Sequence, residues 1–267
     1  MKTFIDQLSR RGKMHHSVPT IVSLVPSQTE LLIDLGLKAQ VVGITKFCVH
    51  PKDLRKKKVV VGGTKKINYE KIQKLKPDII LCNKEENTKE IVETLEKDYA
   101  VHVSDIITLK SALQLITDYG VLFDKEEKAA EIVKRIRAEH TDFKMYVQSF
   151  VPKTVLYFIW KNPWMIAGTS TFIQSLLKEN NLKNKYEGSE RYPCLNIETD
   201  TNYKNVELIL LSSEPYPFTI KHIDELKIQF PSARVLLVDG EYFSWYGSRL
   251  QYAFSYFKSL QKTIRHG

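Results

Sequence analysis

The sequence predicts an α/β fold made of two similar βα lobes that one long helix joins. Two observations support the lobes: short β-branched runs alternate with helical patterns in both halves of the chain, as in βαβ units, and several of these runs recur in the second half. The third observation concerns residues 124–148, which contain neither Gly nor Pro and therefore have the pattern of one helix.

The first half of the chain shows the alternation from its start. Residues 20–25 (TIVSLV) form a predicted strand, and the helix that follows over 28–35 ends at Gly36. Ser27 is the expected N-cap of this helix because Glu30 stands three residues later, as in a capping box. The remaining predicted elements of this half are strands at 41–44, 59–63, 78–82 and 101–103 and helices at 69–76, 88–97 and 109–122.

Four segments of the first half recur in the second half at nearly one offset, between 128 and 134 residues. The pairs are Thr20 with Thr154, 78–82 with 207–211, 101–105 with 235–239, and 68–70 with 196–198. A nearly constant offset indicates an internal duplication. We therefore expect two lobes of similar topology.

Residues 124–148 begin with acidic side chains, which suit the N-terminus of a helix. Apolar side chains recur along this segment at steps of three or four and form one stripe, so it should pack against both lobes. The stripe consists of Ile132, Ile136, Phe143 and Val147, with His140 between them. The predicted organisation is an N-terminal arm (1–17), an N-terminal α/β lobe (18–123), a connecting helix (124–150) and a C-terminal α/β lobe (151–262).

Length and composition exclude several classes of protein. Of 267 residues, 43% are hydrophobic and 27% are charged, and the mean hydropathy is -0.27, which is typical of a globular chain and not of a fibrous or disordered one. The apolar runs are far shorter than the roughly 20 residues of a membrane-spanning helix. Three cysteines, Cys48, Cys82 and Cys194, have neither zinc-finger nor disulfide-framework spacing.

The net charge of +9 is concentrated in residues 51–76, where ten Lys and Arg residues accompany only two acidic ones, Asp53 and Glu70. This segment has no recognition-helix signature and no run of aromatic residues for base stacking. The sequence therefore predicts a solvated basic face and no binding of nucleic acid. We expect the chain to be a monomer.

The N-terminus, residues 1–16, lacks the apolar stretch of about 7 to 15 residues that a secretory signal requires. The sequence therefore predicts no signal peptide in this chain. It predicts a cytoplasmic protein if Met1 is the native start, and a periplasmic or cell-surface protein if a leader was trimmed.

Three segments carry a resemblance to a known family: SLVPSQTELLIDLGL, VGGTKKINYEKIQKLKPDIIL and VLLVDGEYFSWYGSRL. In this order and spacing, over about residues 18–260, the chain resembles the helical-backbone substrate-binding proteins of ABC importers, among them cobalamin-binding and metal-chelate receptor proteins. The resemblance implies the class III periplasmic-binding-protein fold, in which two Rossmann-like βα lobes are joined by one backbone helix. Members of this family usually carry a leader or a lipid anchor, and this chain begins with Met1 and polar residues.

The resemblance also implies a function. A cleft between the lobes would capture a corrinoid, such as a cobalamin, or a metal chelate, such as haem or an iron-siderophore, for delivery to an ABC permease, with no catalysis and no required cofactor. In that family one Glu on each lobe meets arginines of the permease, and Glu70 and Glu198 match these positions by motif. The alternative is a leaderless cytosolic corrinoid- or metal-handling protein or enzyme that uses the same cleft.

Ligands of open α/β sheets bind at the carboxyl ends of the strands, so the turns after the predicted strands supply the expected ligand-binding residues. These are Pro26, Ser27, Gln28, Lys46, Phe47, Cys48, His50, Asn83, Lys84 and Glu85, followed in the second half by Trp160, Lys161, Trp164, Glu214, Tyr216, Trp245, Tyr246 and Arg249. All three tryptophans of the chain belong to this set, and flat aromatic side chains suit a large planar ligand.

Cys48 and His50 have Cys-x-His spacing and are the predicted contacts to a metal, including the metal of a bound macrocycle. Two ligands do not form a closed site, so we expect no structural zinc, and Cys48 is equally explained as a small buried residue. The sequence has no Gly-x-Ser-x-Gly elbow, no Gly-x-Gly-x-x-Gly fingerprint and no phosphate-binding loop. It therefore does not predict an enzyme.

Overall fold

The structure is a computed structural model, and it describes residues 2–16, 18–186, 188 and 190–266. The chain divides into two compact units. The first unit contains Met1–Ile106, Lys110–Ile136 and Tyr246–Gln251, and the second contains Ile107–Leu109, Arg137–Trp245 and Tyr252–Gly267. None of the helices in the described part of the chain is long and apolar enough to cross a bilayer.

The N-terminal segment, expected to be an arm, forms a hairpin in the first unit. Strand β1 (Lys2–Ile5) pairs antiparallel with β2 (Arg11–Met14). The buried Asp6 carboxylate accepts hydrogen bonds from the backbone N–H groups of Arg10 and Val103 and from the Arg10 guanidinium. Because Val103 belongs to the central sheet of this unit, the carboxylate attaches the hairpin to that sheet.

A five-stranded parallel sheet with flanking helices forms the rest of the first unit. Its strands are β3 (Ile21–Ser23), β4 (Val41–Ile44), β5 (Val59–Val60), β6 (Ile79–Asn83) and β7 (Ala100–Ser104), and its helices are α1 (Pro26–Asp34), α2 (Leu54–Lys57), α3 (Tyr69–Leu75), α4 (Lys89–Leu95) and α5 (Leu109–Leu122). The strand order is β5-β4-β3-β6-β7. Val22, Ile80 and Val103 of three neighbouring strands pack with Ile72 of α3 in one apolar core.

Helix α1 begins earlier than the sequence pattern predicts. Val25 is its N-cap and Pro26 its first residue, and no side chain caps it. Proline is favoured at the first helical position because it has no N–H to leave unpaired. The prediction that Ser27 caps this helix is therefore wrong: Ser27 lies within the first turn and is 2% exposed, and Glu30 pairs with Arg249 instead of closing a capping box.

Helix α6 (Glu126–Val147) has 22 residues and continues the chain from the first unit into the second. The sequence predicts it over 124–148, and it starts two residues later because Asp124 has a φ of +54°, outside the right-handed helical region. The four apolar residues of the predicted stripe are all buried: Ile132, Ile136, Phe143 and Val147. The long helix is thereby confirmed.

The second unit contains a sheet of similar design. Its strands are β8 (Lys153–Trp160), β9 (Met165–Ile166), β10 (Leu182–Asn184), β11 (Leu208–Ser212) and β12 (Arg234–Val238), and its helices are α7 (Phe172–Glu179), α8 (Ile220–Gln229), α9 (Gly240–Ser244) and α10 (Leu250–His266), with a 3-10 turn at Thr201–Tyr203. Strands β10, β8, β11 and β12 are parallel and in that order, and β9 pairs antiparallel with β8. Leu156, Ile209 and Val235 of the sheet pack with Phe230 in its core.

The two sheets share one topology. The order β4-β3-β6-β7 of the first corresponds to β10-β8-β11-β12 of the second. The central strand pairs, β3 with β6 and β8 with β11, have equivalent registers. Ile21 lies opposite Ile79 in the first unit, and Val155 lies opposite Leu208 in the second. The predicted α/β fold of two similar lobes is confirmed.

Candidate functional site

Five buried polar side chains form a hydrogen-bonded cluster at the carboxyl ends of β6 and β7 in the first unit. Gln28 is at its centre: its Nε2 atom donates to Ser104 Oγ at 2.6 Å and to Tyr246 Oη at 3.2 Å. Tyr119 donates its hydroxyl proton to Gln28 Oε1 at 2.7 Å. Asn83 Nδ2 donates to Ser104 Oγ at 3.1 Å. We call Gln28, Asn83, Ser104, Tyr119 and Tyr246 the Gln28 cluster.

Burial keeps both tyrosines of the Gln28 cluster neutral. Desolvation raises the pKa of Tyr119 well above its usual range. Desolvation also raises the pKa of Tyr246, the charge of Glu86 raises it further, and the hydrogen bonds with Gln28 and Ser104 offset only part of this effect. Both side chains therefore act as phenols that donate and accept hydrogen bonds, and neither is a phenolate that could serve as a base or a metal ligand.

Sequence reasoning found three members of the Gln28 cluster, Gln28, Asn83 and Tyr246, and missed Ser104 and Tyr119. Ser104 ends strand β7, so the rule that ligand residues follow strands could have found it. Tyr119 lies in the interior of α5, spaced with Leu115 and Leu122 as a core residue, and no local signal distinguishes it. Only the packing of α5 onto the sheet brings it to Gln28.

Cys48 lies in a second buried polar cluster, after β4. Its thiol donates to Thr29 Oγ1 at 3.2 Å and lies 3.4 Å from Thr45 Oγ1. Burial raises the pKa of this thiol, and the hydrogen bonds with Thr29 and Thr45 offset the increase only in part. The protonated thiol is a weak metal ligand. Within the described residues no three His, Cys, Asp or Glu side chains are arranged to hold a metal ion, so metal contact by Cys48 and His50 stays a prediction.

Arg249 forms a forked ion pair with Glu30 in the first unit. Its Nε and Nη2 atoms donate to the two carboxylate oxygens of Glu30 at 2.9 and 2.8 Å, and the two side chains are only 10% and 16% exposed. Burial raises the pKa of Glu30, although the charge and hydrogen bonds of Arg249 lower it. The guanidinium of Arg249 is thus committed to a protein carboxylate.

Some of the predicted ligand-binding residues of the first unit are accessible to solvent, in the turns after β4 and β6. Phe47 is 48% exposed, and Lys46 Nζ is 5.0 Å from the centroid of its ring. Lys84 is paired with Asp105 at 2.8 Å, and Glu85 is half-buried. An aromatic face with an ammonium group beside it can contact a flat ligand that carries negative charge.

In the second unit Glu214 accepts two hydrogen bonds through one oxygen. Trp245 donates its indole N–H to Glu214 Oε1 at 3.0 Å, and Ser244 donates its hydroxyl at 2.5 Å. Burial raises the pKa of Glu214, the two hydrogen bonds lower it, and the charges of Glu241 and Asp239 raise it further. Trp245 is 7% exposed, so it is a buried hydrogen-bond partner of Glu214. The sequence predicted that it contacts the ligand.

The other two tryptophans belong to an aromatic cluster at the carboxyl ends of β8 and β11. Trp160, which is 39% exposed, meets Tyr216 edge-on with ring centroids 5.6 Å apart. Trp164 stacks on Phe218 at 5.9 Å and packs against the core of this unit, with Lys161 Nζ 5.1 Å from its ring centroid. Trp160 therefore offers an exposed aromatic surface, whereas Trp164 is part of the packing of this unit.

The two predicted docking acids have similar surroundings. Glu70 and Glu198 are both exposed. Asn68 caps helix α3 by accepting a hydrogen bond from the N–H of Lys71, and Asn196 accepts hydrogen bonds from the N–H groups of Glu198 and Thr199. In each unit an Asn two residues earlier holds the turn that presents the Glu to solvent.

Comparison with known proteins identifies the family. A model of the periplasmic binding protein family matches residues 21–228. An uncharacterized ABC transporter substrate-binding lipoprotein of Bacillus subtilis (strain 168), YvrC, is 30% identical over 173 residues, which are 61% of this chain and 54% of that protein. This chain therefore spans about half the length of that relative.

Solved structures match nearly the whole chain. The periplasmic vitamin B12 binding protein BtuF of Vibrio cholerae matches with a TM-score of 0.78 and 20% identity, over 91% of this chain and 98% of that one. The apo form of the periplasmic heme-binding protein RhuT of Roseiflexus sp. RS-1 matches with a TM-score of 0.77 and 16% identity, over 92% and 98%. Both are periplasmic binding proteins. Because the family model covers most of the sequence, and the fold is that of class III binding proteins, this chain belongs to the periplasmic binding protein family.

Proposed function

We propose that this protein is the solute-binding component of an ABC importer and that its ligand is a corrinoid or a related metal chelate, with haem and iron-siderophores as the other members of that class. The observation that carries the proposal is that each unit has an exposed aromatic side chain at the carboxyl end of a strand: Phe47 lies in the turn after β4, and Trp160 is the last residue of β8. Large macrocycles offer flat apolar faces, which such side chains contact well.

The family supports the same reading. The two solved binding proteins named above bind vitamin B12 and heme, and both ligands are macrocycles that hold a metal. Lys46 Nζ lies 5.0 Å from the centroid of the Phe47 ring, where it would meet a carboxylate or phosphate group at the edge of a ligand. Lys161 lies over Trp164 and is already paired with Glu225. We also propose that Glu70 and Glu198 contact the permease, since both are exposed and each follows an Asn-held turn.

Isothermal titration calorimetry with cyanocobalamin, haemin and a ferric siderophore tests the ligand class. We expect saturable binding of one of these probes. Calorimetry is preferable to fluorescence because corrins and haem absorb the light that tryptophan emits. Phe47→Ala and Trp160→Ala should each weaken this binding about tenfold, which corresponds to about 1.4 kcal/mol.

The matched control is Tyr252→Ala, which removes another exposed aromatic side chain, 49% exposed on α10. It should leave the affinity unchanged. If the folded protein binds none of the three probes, or if the control weakens binding as much as Trp160→Ala does, the proposed ligand site is wrong.

A further inference from the structure

The edge of the sheet at β5 in the first unit carries a group of lysines close to one another. In the part of the chain that the structure describes, strand β5 pairs with β4 alone, so it is an edge strand. We call the group formed by Lys38, Lys57, Lys58, Lys71 and Lys74 the β5 lysine face. No part of the proposed ligand site uses these residues.

The Asp53 carboxylate and strand β5 bring the lysines of this face together. Lys38 Nζ lies 3.9 Å from Asp53 Oδ2, and Lys57 forms an ion pair with the same carboxylate. Lys58 directly precedes β5, and Lys71 Nζ donates to the carbonyl oxygen of Val60 in β5 at 2.9 Å. Lys74 follows Lys71 by three residues on α3, which places both on one side of that helix.

The face has more positive charge than its own acids neutralise. Asp53 is shared by Lys38 and Lys57, and the only other acid in residues 51–76 is Glu70. Partial burial lowers the pKa of Lys58, and the charge of Lys38 lowers it further. An anionic surface placed here would relieve this repulsion and would gain affinity by releasing its counterions.

Two exposed side chains with apolar surface are close in sequence to these lysines. Val59 of β5 follows Lys58 and is 40% exposed, and Tyr69 begins α3 two residues before Lys71 and is 41% exposed. Tyrosine is enriched at membrane interfaces because its ring is apolar and its hydroxyl is polar. Lysine beside such residues is typical of protein surfaces that lie on anionic lipids.

We propose that the β5 lysine face binds the surface of a bilayer that contains anionic phospholipids. A nucleic acid fits this face less well. Helices α2 and α3 have only four and seven residues, too short for a recognition helix in a major groove. Tyr69 is the single aromatic residue of residues 51–76, whereas single-stranded nucleic acids bind on several stacked aromatic side chains.

Sedimentation with lipid vesicles tests the proposal, with no ligand or permease present, so that its result is independent of the proposed transport function. We expect binding to vesicles that contain phosphatidylglycerol, little binding to pure phosphatidylcholine vesicles, and a marked decrease of binding as the salt concentration rises. The variant Lys38→Gln/Lys57→Gln/Lys71→Gln/Lys74→Gln should lose at least about tenfold in affinity.

The control variant Lys89→Gln/Lys110→Gln/Lys221→Gln/Lys227→Gln removes the same number of charges from exposed lysines elsewhere. It should bind anionic vesicles nearly as well as the wild type, and circular dichroism should confirm that both variants fold. Equal loss in the two variants would overturn the proposal, because it would show a response to net charge alone. Equal binding to neutral vesicles, or tighter and equally lysine-dependent binding of single-stranded oligothymidine, would also overturn it.

Discussion

Asp78 and Thr20 form a reciprocal pair at the start of two neighbouring strands. The Asp78 carboxylate accepts hydrogen bonds from the N–H and the hydroxyl of Thr20 at 2.7 and 2.8 Å, and the N–H of Asp78 donates to the Thr20 hydroxyl at 3.1 Å. In the second unit Glu207 and Thr154 form the same three bonds at 2.8, 3.0 and 3.1 Å. The internal duplication thus preserves a hydrogen-bonded pair as well as a strand order.

Thr20→Val should destabilise the protein by about 1 to 2 kcal/mol, because the Asp78 carboxylate loses the hydrogen bond from the Thr20 hydroxyl. Valine has nearly the same shape as threonine, so packing should not change. Partial burial raises the pKa of Asp78, but hydrogen bonds from Thr20 and His16 lower it overall. An acid with a lowered pKa in the folded state stabilises the protein above its ordinary pKa and loses this effect as the pH falls. The difference between wild type and variant in urea unfolding should therefore shrink below about pH 4.

Thr154→Val is the matched comparison for this prediction. The side chain of Glu207 is 47% exposed and that of Asp78 is 16% exposed, so water screens the second pair more strongly. We expect the smaller loss in Thr154→Val. A larger loss there than in Thr20→Val would contradict the argument from burial.

Arg249→Gln should destabilise the protein by about 3 kcal/mol at neutral pH, because it leaves the Glu30 carboxylate buried without its counter-charge. Burial already raises the pKa of Glu30 in spite of Arg249, and the variant should raise it further. A raised pKa means that the ionised form costs stability as the pH rises. Urea unfolding should show a smaller loss near about pH 5 than near about pH 8.

The double variant Glu30→Gln/Arg249→Gln is the control for the ion pair, since it removes both charges and keeps polar side chains of similar size. It should be more stable at neutral pH than Arg249→Gln alone. If the double variant is the less stable of the two, the buried charge of Glu30 is not the cause of the loss.

Trp245 fluorescence should report the ionisation of Glu214 through the indole hydrogen bond. In a Trp160→Phe/Trp164→Phe background Trp245 is the one remaining tryptophan, and selective excitation of tryptophan reports on it alone. Because burial raises the pKa of Glu214, the emission should change with a midpoint above the ordinary glutamate value of about 4.3. Glu214→Gln should abolish this transition, and a midpoint below that value in the parent would refute the assigned direction.

Charge reversal at the two exposed acids, Glu70→Lys/Glu198→Lys, should leave ligand affinity unchanged and should reduce the stimulation of a cognate permease at least about tenfold, because charges at the rim of an interface steer partners. ATP hydrolysis by the permease in liposomes measures the effect. The variant Glu90→Lys/Asp224→Lys, which reverses two other exposed acids, should stimulate normally. Equal loss in both variants would contradict specific docking by Glu70 and Glu198.

The sequence by itself determined the bounds of several elements of the first unit. The pattern predicts a helix at 109–122 and a strand at 41–44, and α5 and β4 have these bounds. Both rest on local causes, namely the periodicity of apolar residues and the absence or presence of Gly and Pro. The repeat offset likewise depends on residue identities alone, and it predicted the shared topology of the two units.

Tertiary structure decided what the predicted site residues do. Gln28 meets Tyr246 from 218 positions away, and Glu30 meets Arg249 from 219 positions away. Sequence reasoning placed Gln28, Tyr246 and Arg249 in turns that contact a ligand, whereas the structure buries all three in bonds with other side chains. Local patterns cannot predict such pairs, because a buried polar group takes whichever partner the packed chain brings within hydrogen-bond distance, and that partner is set by topology and not by neighbours in sequence.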